Sequence, residues 1–316
     1  MIKNRRSFIV GLKSTILQVK EKDFLKKYKP WGIILFSRNI KSISQTKKLT
    51  DDIRKIFKDK KYPILIDQEG GRVSRLNNLI DSSNFTGEFF GQLFKKNFKK
   101  FNIYCKIFIN QTCYLLDKIG VNINTVPVLD VRHKNSNNVI GNRSFHSKPK
   151  IVSKIGDLFI DQFHKNNIAT VIKHIPGHGL AKVDSHKSTP IVKSKLKDLN
   201  KTDFLPFKKK KSLFAMTAHI VYQDIDKNFS ATHSKKVIKF IRKKIKFRNL
   251  LISDDISMKS LKFSIKENTL QAFTAGCDLV LHCNAKYREM IVVARNSPKV
   301  NDFVSKKTSQ FYKFLS

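Results

Sequence analysis

Eight short apolar runs recur along the chain, each followed by a longer segment with helical spacing. The runs are "FIVGL" (8–12), "WGIILF" (31–36), "YPILID" (62–67), "VNINTVPVLD" (121–130), "IATVIKH" (168–174), "SLFAMTAHI" (212–220), "NLLISDD" (249–255) and "CDLVLHC" (277–283). Between them lie amphipathic stretches such as "SQTKKLTDDIRKIFKD", "KIVSKIGDLFIDQFHKN" and "SKKVIKFIRKKIKF". Strands that are apolar throughout, alternating with helices, belong to a parallel sheet covered by helices. Eight such units predict an α/β protein built as one (β/α)8 TIM-type barrel over residues 1–316. An open doubly wound sheet is the alternative, but no glycine-rich phosphate loop follows the first strand. Two long polar loops are expected, at 77–92 and 132–148, and long loops inside a compact domain usually carry function.

Composition changes this picture in one respect. The 316 residues hold 63 Lys+Arg against 24 Asp+Glu, a formal charge of +39. Such a field attracts polyanions. The lysines are spread along the whole chain, in stretches such as "FKKNFKKF" and "FIRKKIKF" that read as solvated helix sides. The expectation is salt-sensitive, non-specific attraction and no specific nucleic-acid partner. The four cysteines (Cys105, Cys113, Cys277, Cys283) have neither zinc-type spacing nor a disulfide-dense pattern, so reduced, packed thiols are expected. The basic N-terminus is followed by only five apolar residues, too few for a signal peptide. No run approaches the length needed to span a bilayer. A cytoplasmic monomer without membrane insertion is the expectation.

The unusual polar residues gather just past strand C-termini: "FSRNI", "IDQEGGRVSRL", "GNRSF", "TAHIVYQDID" and "SDDISM". In barrels that rim carries the active site. The densest stretch is "KHIPGHGLAKVDSH" (173–186), directly after an apolar strand. It could be a metal site, an acid/base site on a loop, or a polar turn without chemistry. His174, His178, Asp184 and His186 are zinc ligands by type. Their spacing fits no compact zinc motif, no cysteine is near, and Lys173 would repel a cation. No metal and no cofactor are therefore expected.

In this order, "WGIILFSRNI", "IDQEGGRVSRL", "IGNRSF", "KHIPGHGLAKVDSH", "MTAHIVYQDID", "ISDDISM" and "AGCDLVLHC" resemble the bacterial β-N-acetylhexosaminidases of glycoside hydrolase family 3. These are single-domain cytoplasmic enzymes of cell-wall recycling, and the likeness covers roughly residues 30–284. The Lys-His to Asp-Ser-His loop is the specific part. The resemblance implies hydrolysis with retention, in two displacements. It makes Asp254 the nucleophile and His186, held by Asp184, the acid/base. Imidazole titrates near pH 6.5, so it can give and take a proton around neutrality. An Asp after a strand is otherwise often a helix N-cap, a role that suits Asp255 better. Asp67, Arg75, Arg143, Lys173 and His174 are implied to bind the sugar. The implied substrate is a small carbohydrate, a muropeptide fragment with an anhydro-muramic acid aglycone.

The sequence also departs from the pattern. Asn142 replaces the Asp of "GDRSF", His233 replaces an apolar residue in "ATHS", and the 77–92 loop lacks the expected prolines. None of these is a residue implied in bond breaking. Two other readings compete: a polyanion-binding protein on a degenerate barrel, and a phosphorolytic N-acetylglucosaminidase. Intact Asp254, Asp184 and His186 argue against degeneracy. Phosphorolysis stays open, because a histidine acid/base does not repel phosphate as a carboxylate would.

Overall fold

A computed structural model of the protein describes residues 2–134, 138–181 and 189–316. The strands are β1 (Arg6–Gly11), β2 (Pro30–Leu35), β3 (Ile64–Ile66), β4 (Ile123–Asn124), β5 (Ala169–Ile175), β6 (Ile191–Val192), β7 (Phe214–Thr217), β8 (Val221–Tyr222), β9 (Leu250–Asp255) and β10 (Leu279–His282). Eight of them close into a parallel barrel in the order β1-β10-β9-β7-β5-β4-β3-β2. β6 and β8 pair separately above the rim. This is the eight-unit barrel that the alternation predicts.

The barrel's packing follows the two-residue period of a strand. Ile9, Ile34, Leu65, Ile123, Val171, Phe214, Met216, Leu250, Ile252, Leu279 and Leu281 fill the interior. Their neighbours Phe8, Val10, Ile33, Leu35, Ile172, Ala215, Leu251 and Val280 face the surrounding helices. That two-sided burial is why the strands read as continuous apolar runs.

The helices are α1 (Val19–Tyr28), α2 (Ile43–Phe57), α3 (Gly87–Lys96), α4 (Phe98–Lys118), α5 (Pro149–Lys165), α6 (Leu196–Leu199), α7 (Lys235–Phe240), α8 (Ile265–Ala275), α9 (Tyr287–Asn296) and α10 (Asp302–Phe314). α10 closes the N-terminal end of the barrel. Phe311 packs edge-on against Phe214, and the buried Trp31 indole donates to Thr308 Oγ1 at 2.8 Å. Arg5 ties the same end together through Asp59 and Tyr312.

Two expectations are corrected. The last part of the 77–92 loop is helical: α3 starts at Gly87, with the Thr86 hydroxyl accepting from Phe89 N. Phe89, Phe90 and Phe94 supply an apolar face that packs on α4. Asp255 does not cap the next helix. Ser264 does so, in a reciprocal capping box with Glu267. Asp255 instead accepts from Ser257 N, Ser257 Oγ and Cys283 N, tying the end of β9 to that of β10.

Candidate active site

Strand ends place a compact polar cluster at the C-terminal rim. Asp67 follows β3, Thr125 follows β4, Lys173 and His174 lie in β5, and Asp254 lies near the end of β9. Lys173 is the centre of one half. Its ammonium, on a residue only 2% exposed, lies 2.9 Å from Asp67 Oδ1, 2.9 Å from Thr125 Oγ1 and 2.7 Å from Glu69 Oε1. Three donors meet three acceptors, which is what makes so buried a charge tolerable. Glu69 is gripped from its other side by a two-pronged contact with Arg143, Nε to Oε2 at 2.8 Å and Nη2 to Oε1 at 2.7 Å.

Arg143 is carried by a loop that α3 approaches very closely. A Cβ at Gly91 would sit 1.5 Å from the Phe145 carbonyl oxygen, so only glycine allows this packing.

The half open to solvent consists of Asp67 and Arg75, whose side chains are 18% and 27% exposed. Thr125 and Lys173 both engage Asp67 Oδ1, leaving Oδ2 facing Arg75 at 3.7 Å. The Arg75 guanidinium also lies over the Phe36 ring. The cleft thus offers one carboxylate oxygen and one oriented guanidinium, a pair suited to a diol. Lys173 and Arg143 form the wall behind them.

His174 is oriented by Asp130, which is fully buried. The carboxylate accepts from His174 Nδ1 at 2.7 Å, His174 N at 3.1 Å and His178 N at 2.7 Å. With Nδ1–H donated to the carboxylate, His174 Nε2 is the nitrogen left for the cleft. Burial pushes His178 down to about 4, so its ring is neutral at pH 7.

Opposite stands Asp254, whose Oδ1 accepts from Asp255 N at 2.7 Å. Its Oδ2 takes no hydrogen bond from any described residue. Burial raises this carboxyl, but His219 and then His174 outweigh it, and the group stays below the ordinary aspartate value. It is therefore a carboxylate at neutral pH, with one oxygen unengaged by the described residues. His219 is itself fixed: Nε2 lies 3.0 Å from the Asp255 carbonyl and Nδ1 2.7 Å from Thr232 Oγ1. A carbonyl only accepts, so Nε2 carries the proton and Nδ1 accepts from the threonine hydroxyl.

All five implied sugar-binding residues and Asp254 thus lie at the same rim. Asp184 and His186 lie outside the described residues. Both anchors of their loop are described. The Gly177 carbonyl accepts from Tyr222 OH, Gly179 sits where a Cβ would be 1.8 Å from the Val131 carbonyl oxygen, and Thr189 Oγ1 donates to Ser260 O. Glu69, Thr125, Asp130 and His219 were not singled out from the sequence, though each lies in or beside a strand-end motif. Thr125, Asp130 and His219 were signalled by a polar side chain inside an apolar run, whereas Glu69 lies in the polar loop after β3 and carried no such signal.

The carboxylates carry a pH consequence. Burial raises Glu69, but Arg143 and Lys173 outweigh it and hold the carboxyl down at about 2, against an ordinary 4.5. A carboxylate depressed on folding contributes stability that is complete above the unfolded value and is lost as pH falls through the folded one. Asp67, Asp130 and Asp254 shift in the same direction. The carboxylates lose their contribution between about pH 5 and 2, and the histidines held neutral by burial, His178 among them, start the decline in thermal stability already below about pH 6.5. Glu69→Gln should lower the unfolding temperature at pH 7 and converge with the unsubstituted protein in acid. Acid limbs that run parallel would show that Glu69 does not contribute this way.

A closed parallel barrel with carboxylates and an oriented histidine gathered at its C-terminal rim is the architecture of a barrel enzyme whose site lies at that rim. The chain belongs to glycosyl hydrolase family 3: residues 10–306 match that family's N-terminal domain, and the protein is a glycoside hydrolase. It is 35% identical over 283 residues to a beta-hexosaminidase of Hydrogenovibrio crunogenus, covering 87% of this chain and 78% of the relative. It is 31% identical over 306 residues to a beta-hexosaminidase of Haemophilus influenzae, covering 94% and 84%. Among solved structures, NagZ from Neisseria gonorrhoeae in complex with N-trifluoroacetyl-D-glucosamine superposes with a TM-score of 0.88 at 28% identity, covering 98% of this chain and 90% of that one. No described helix is long and apolar enough to cross a membrane.

Proposed function

We propose that the protein is a retaining β-N-acetylglucosaminidase that removes terminal N-acetylglucosamine from muropeptide fragments in the cytoplasm. The observation that carries this reading is Asp254: a half-buried carboxylate facing His219 and His174, held below the ordinary aspartate value, with Oδ2 unengaged by any described residue. Its neighbourhood supports the assignment. Asp67 and Arg75 offer a diol-binding pair, while His174 presents Nε2 from β5. The relatives' activities supply the sugar.

In the first displacement Asp254 Oδ2 bonds to the anomeric carbon as the glycosidic C–O bond breaks. Protonated His186, oriented by Asp184, gives its proton to the leaving oxygen. In the second, neutral His186 takes a proton from water, the water oxygen bonds to the anomeric carbon, and the Asp254 ester bond breaks. The configuration is inverted twice and so retained. Turnover of a chromogenic N-acetyl-β-glucosaminide and of a muropeptide, with the first-formed anomer read by NMR, tests the proposal. An α-anomer as first product would overturn retention, and inertness toward both substrates would overturn the activity. Parallel reactions with inorganic phosphate separate hydrolysis from phosphorolysis by whether a sugar phosphate forms.

His186 should fail selectively. A sugar alcohol is a poor anionic leaving group and needs protonation as its bond breaks, whereas a nitrophenolate hardly does. General acid catalysis contributes about 10²–10⁴-fold, so His186→Ala should lose that much on the disaccharide. On the nitrophenyl substrate glycosyl transfer should be largely spared, giving a burst before slow hydrolysis. Equal losses on both substrates would assign His186 to sugar positioning instead.

A further inference from the structure

The outer face of α4 is built the wrong way round for a helix that meets only water. Its inner face buries Phe101, Cys105, Phe108, Ile109, Thr112, Leu115 and Leu116 against the barrel and neighbouring helices. The opposite face of such a helix is ordinarily polar. Here it carries Ile103, Ile107 and Tyr114, which are 48%, 57% and 60% exposed. At about 100° per residue these three fall within an arc of about 40°, and they span about 16 Å along the axis. They mark the centre of the exposed face.

Lysines flank this ridge on both sides. Lys99 and Lys106 lie along one edge, Lys100 and Lys118 along the other, and all four are exposed. The Lys118 ammonium sits 5.3 Å over the Tyr114 ring. The acid on this helix, Asp117, stands at its C-terminal end. An apolar ridge bordered by cations, on a chain of net charge +39, repels a second copy of itself. It complements a surface that is apolar within and anionic at its border.

We propose that α4 docks the protein on an anionic lipid surface, Ile103, Ile107 and Tyr114 entering the headgroup–acyl boundary and the lysines meeting lipid phosphates. Helices with an aliphatic-aromatic stripe and a lysine-rich border lie in that plane, with apolar burial and electrostatic attraction adding. The proposal is independent of the reaction chemistry, since α4 contributes none of the residues assigned to it.

The test is co-sedimentation of the full chain with phosphatidylcholine vesicles, with and without phosphatidylglycerol as about a third of the lipid. The protein should pellet with the anionic vesicles and not with the neutral ones, and release at about 0.5 M salt, where surface charge is screened. The triple variant Ile103→Ser, Ile107→Ser, Tyr114→Ser keeps every lysine. It should bind anionic vesicles at least about tenfold more weakly while hydrolysing a chromogenic N-acetylglucosaminide like the unsubstituted protein. Equal binding by the variant would mean that diffuse charge alone is responsible, and would overturn the proposal. So would failure of the unsubstituted protein to pellet. A dimer in sedimentation velocity that the variant renders monomeric would assign the ridge to a second copy instead.

Discussion

Asp254→Asn is expected to lose at least about 10⁴-fold in turnover on every substrate, whatever the leaving group. The amide keeps the size and planarity of the carboxylate, and its oxygen can still accept from Asp255 N, which now holds Oδ1 at 2.7 Å. What it removes is the negative charge that attacks the anomeric carbon and stabilises the developing oxocarbenium ion. The loss should fall on kcat with little change in substrate binding, because Asp67, Arg75 and His174 are untouched. It should also remove the burst on an activated substrate, since no covalent intermediate can form. This uniformity separates Asp254 from His186, whose loss depends on the leaving oxygen. A residual rate within about tenfold of the unsubstituted enzyme would disqualify Asp254, and the ionised carboxylate Asp67 would be the next candidate.

Lys173→Met should be the most damaging change to the scaffold of the site. The methionine fills much of the same volume but leaves Asp67 and Glu69 without the cation they share at 2.9 and 2.7 Å. Removing one partner from a buried ion pair costs about 3–5 kcal/mol, because the other charge stays desolvated. For a chain of this length that corresponds to a fall of about 5–8 °C in unfolding temperature. Both carboxyls should rise toward or above their ordinary values, so the difference from the unsubstituted protein should shrink as pH falls below about 5 and the carboxyls protonate. Activity should fall as well, because Asp67 Oδ1 loses the contact that fixes its orientation. Thermal unfolding across pH measures the effect. An unfolding temperature that is unchanged at pH 7 would mean that the ammonium is solvated and the cluster is not held as described.

Much of this was legible in the chain itself. A strand buried on both faces is apolar at every position, so Asp67, Lys173, His174 and Asp254 stand out as polar residues at the ends of apolar runs. Right-handed βα units place every strand's C-terminal end on one rim, so the same pattern also gathered the chemistry. Barrel and chemical rim were therefore readable from period and polarity, while the roles of the individual residues came from the family resemblance.

Partnership was not readable. Lys173 meets Asp67 across 106 residues of sequence, and Arg143 meets Glu69 across 74. Among 63 basic residues, composition cannot tell a buried cation from a solvated one. Glu69 looked like part of a polar loop until Arg143 and Lys173 closed on it. Asp254 and Asp255 are adjacent, equal in chemistry and both strand-terminal. Only the pleat separates them, turning Asp254 toward His219 and His174 and Asp255 toward Ser257 and Cys283 N. Likewise the end of the 77–92 stretch became helix α3, because Phe89, Phe90 and Phe94 found partners on α4 that no local propensity announces. The sequence determined the strands, their order and the rim that carries the chemistry, because these follow from local periodicity. Tertiary structure decided which charges pair and which carboxylate keeps an oxygen unengaged by the described residues, because those depend on desolvation and on contacts between residues far apart in the chain.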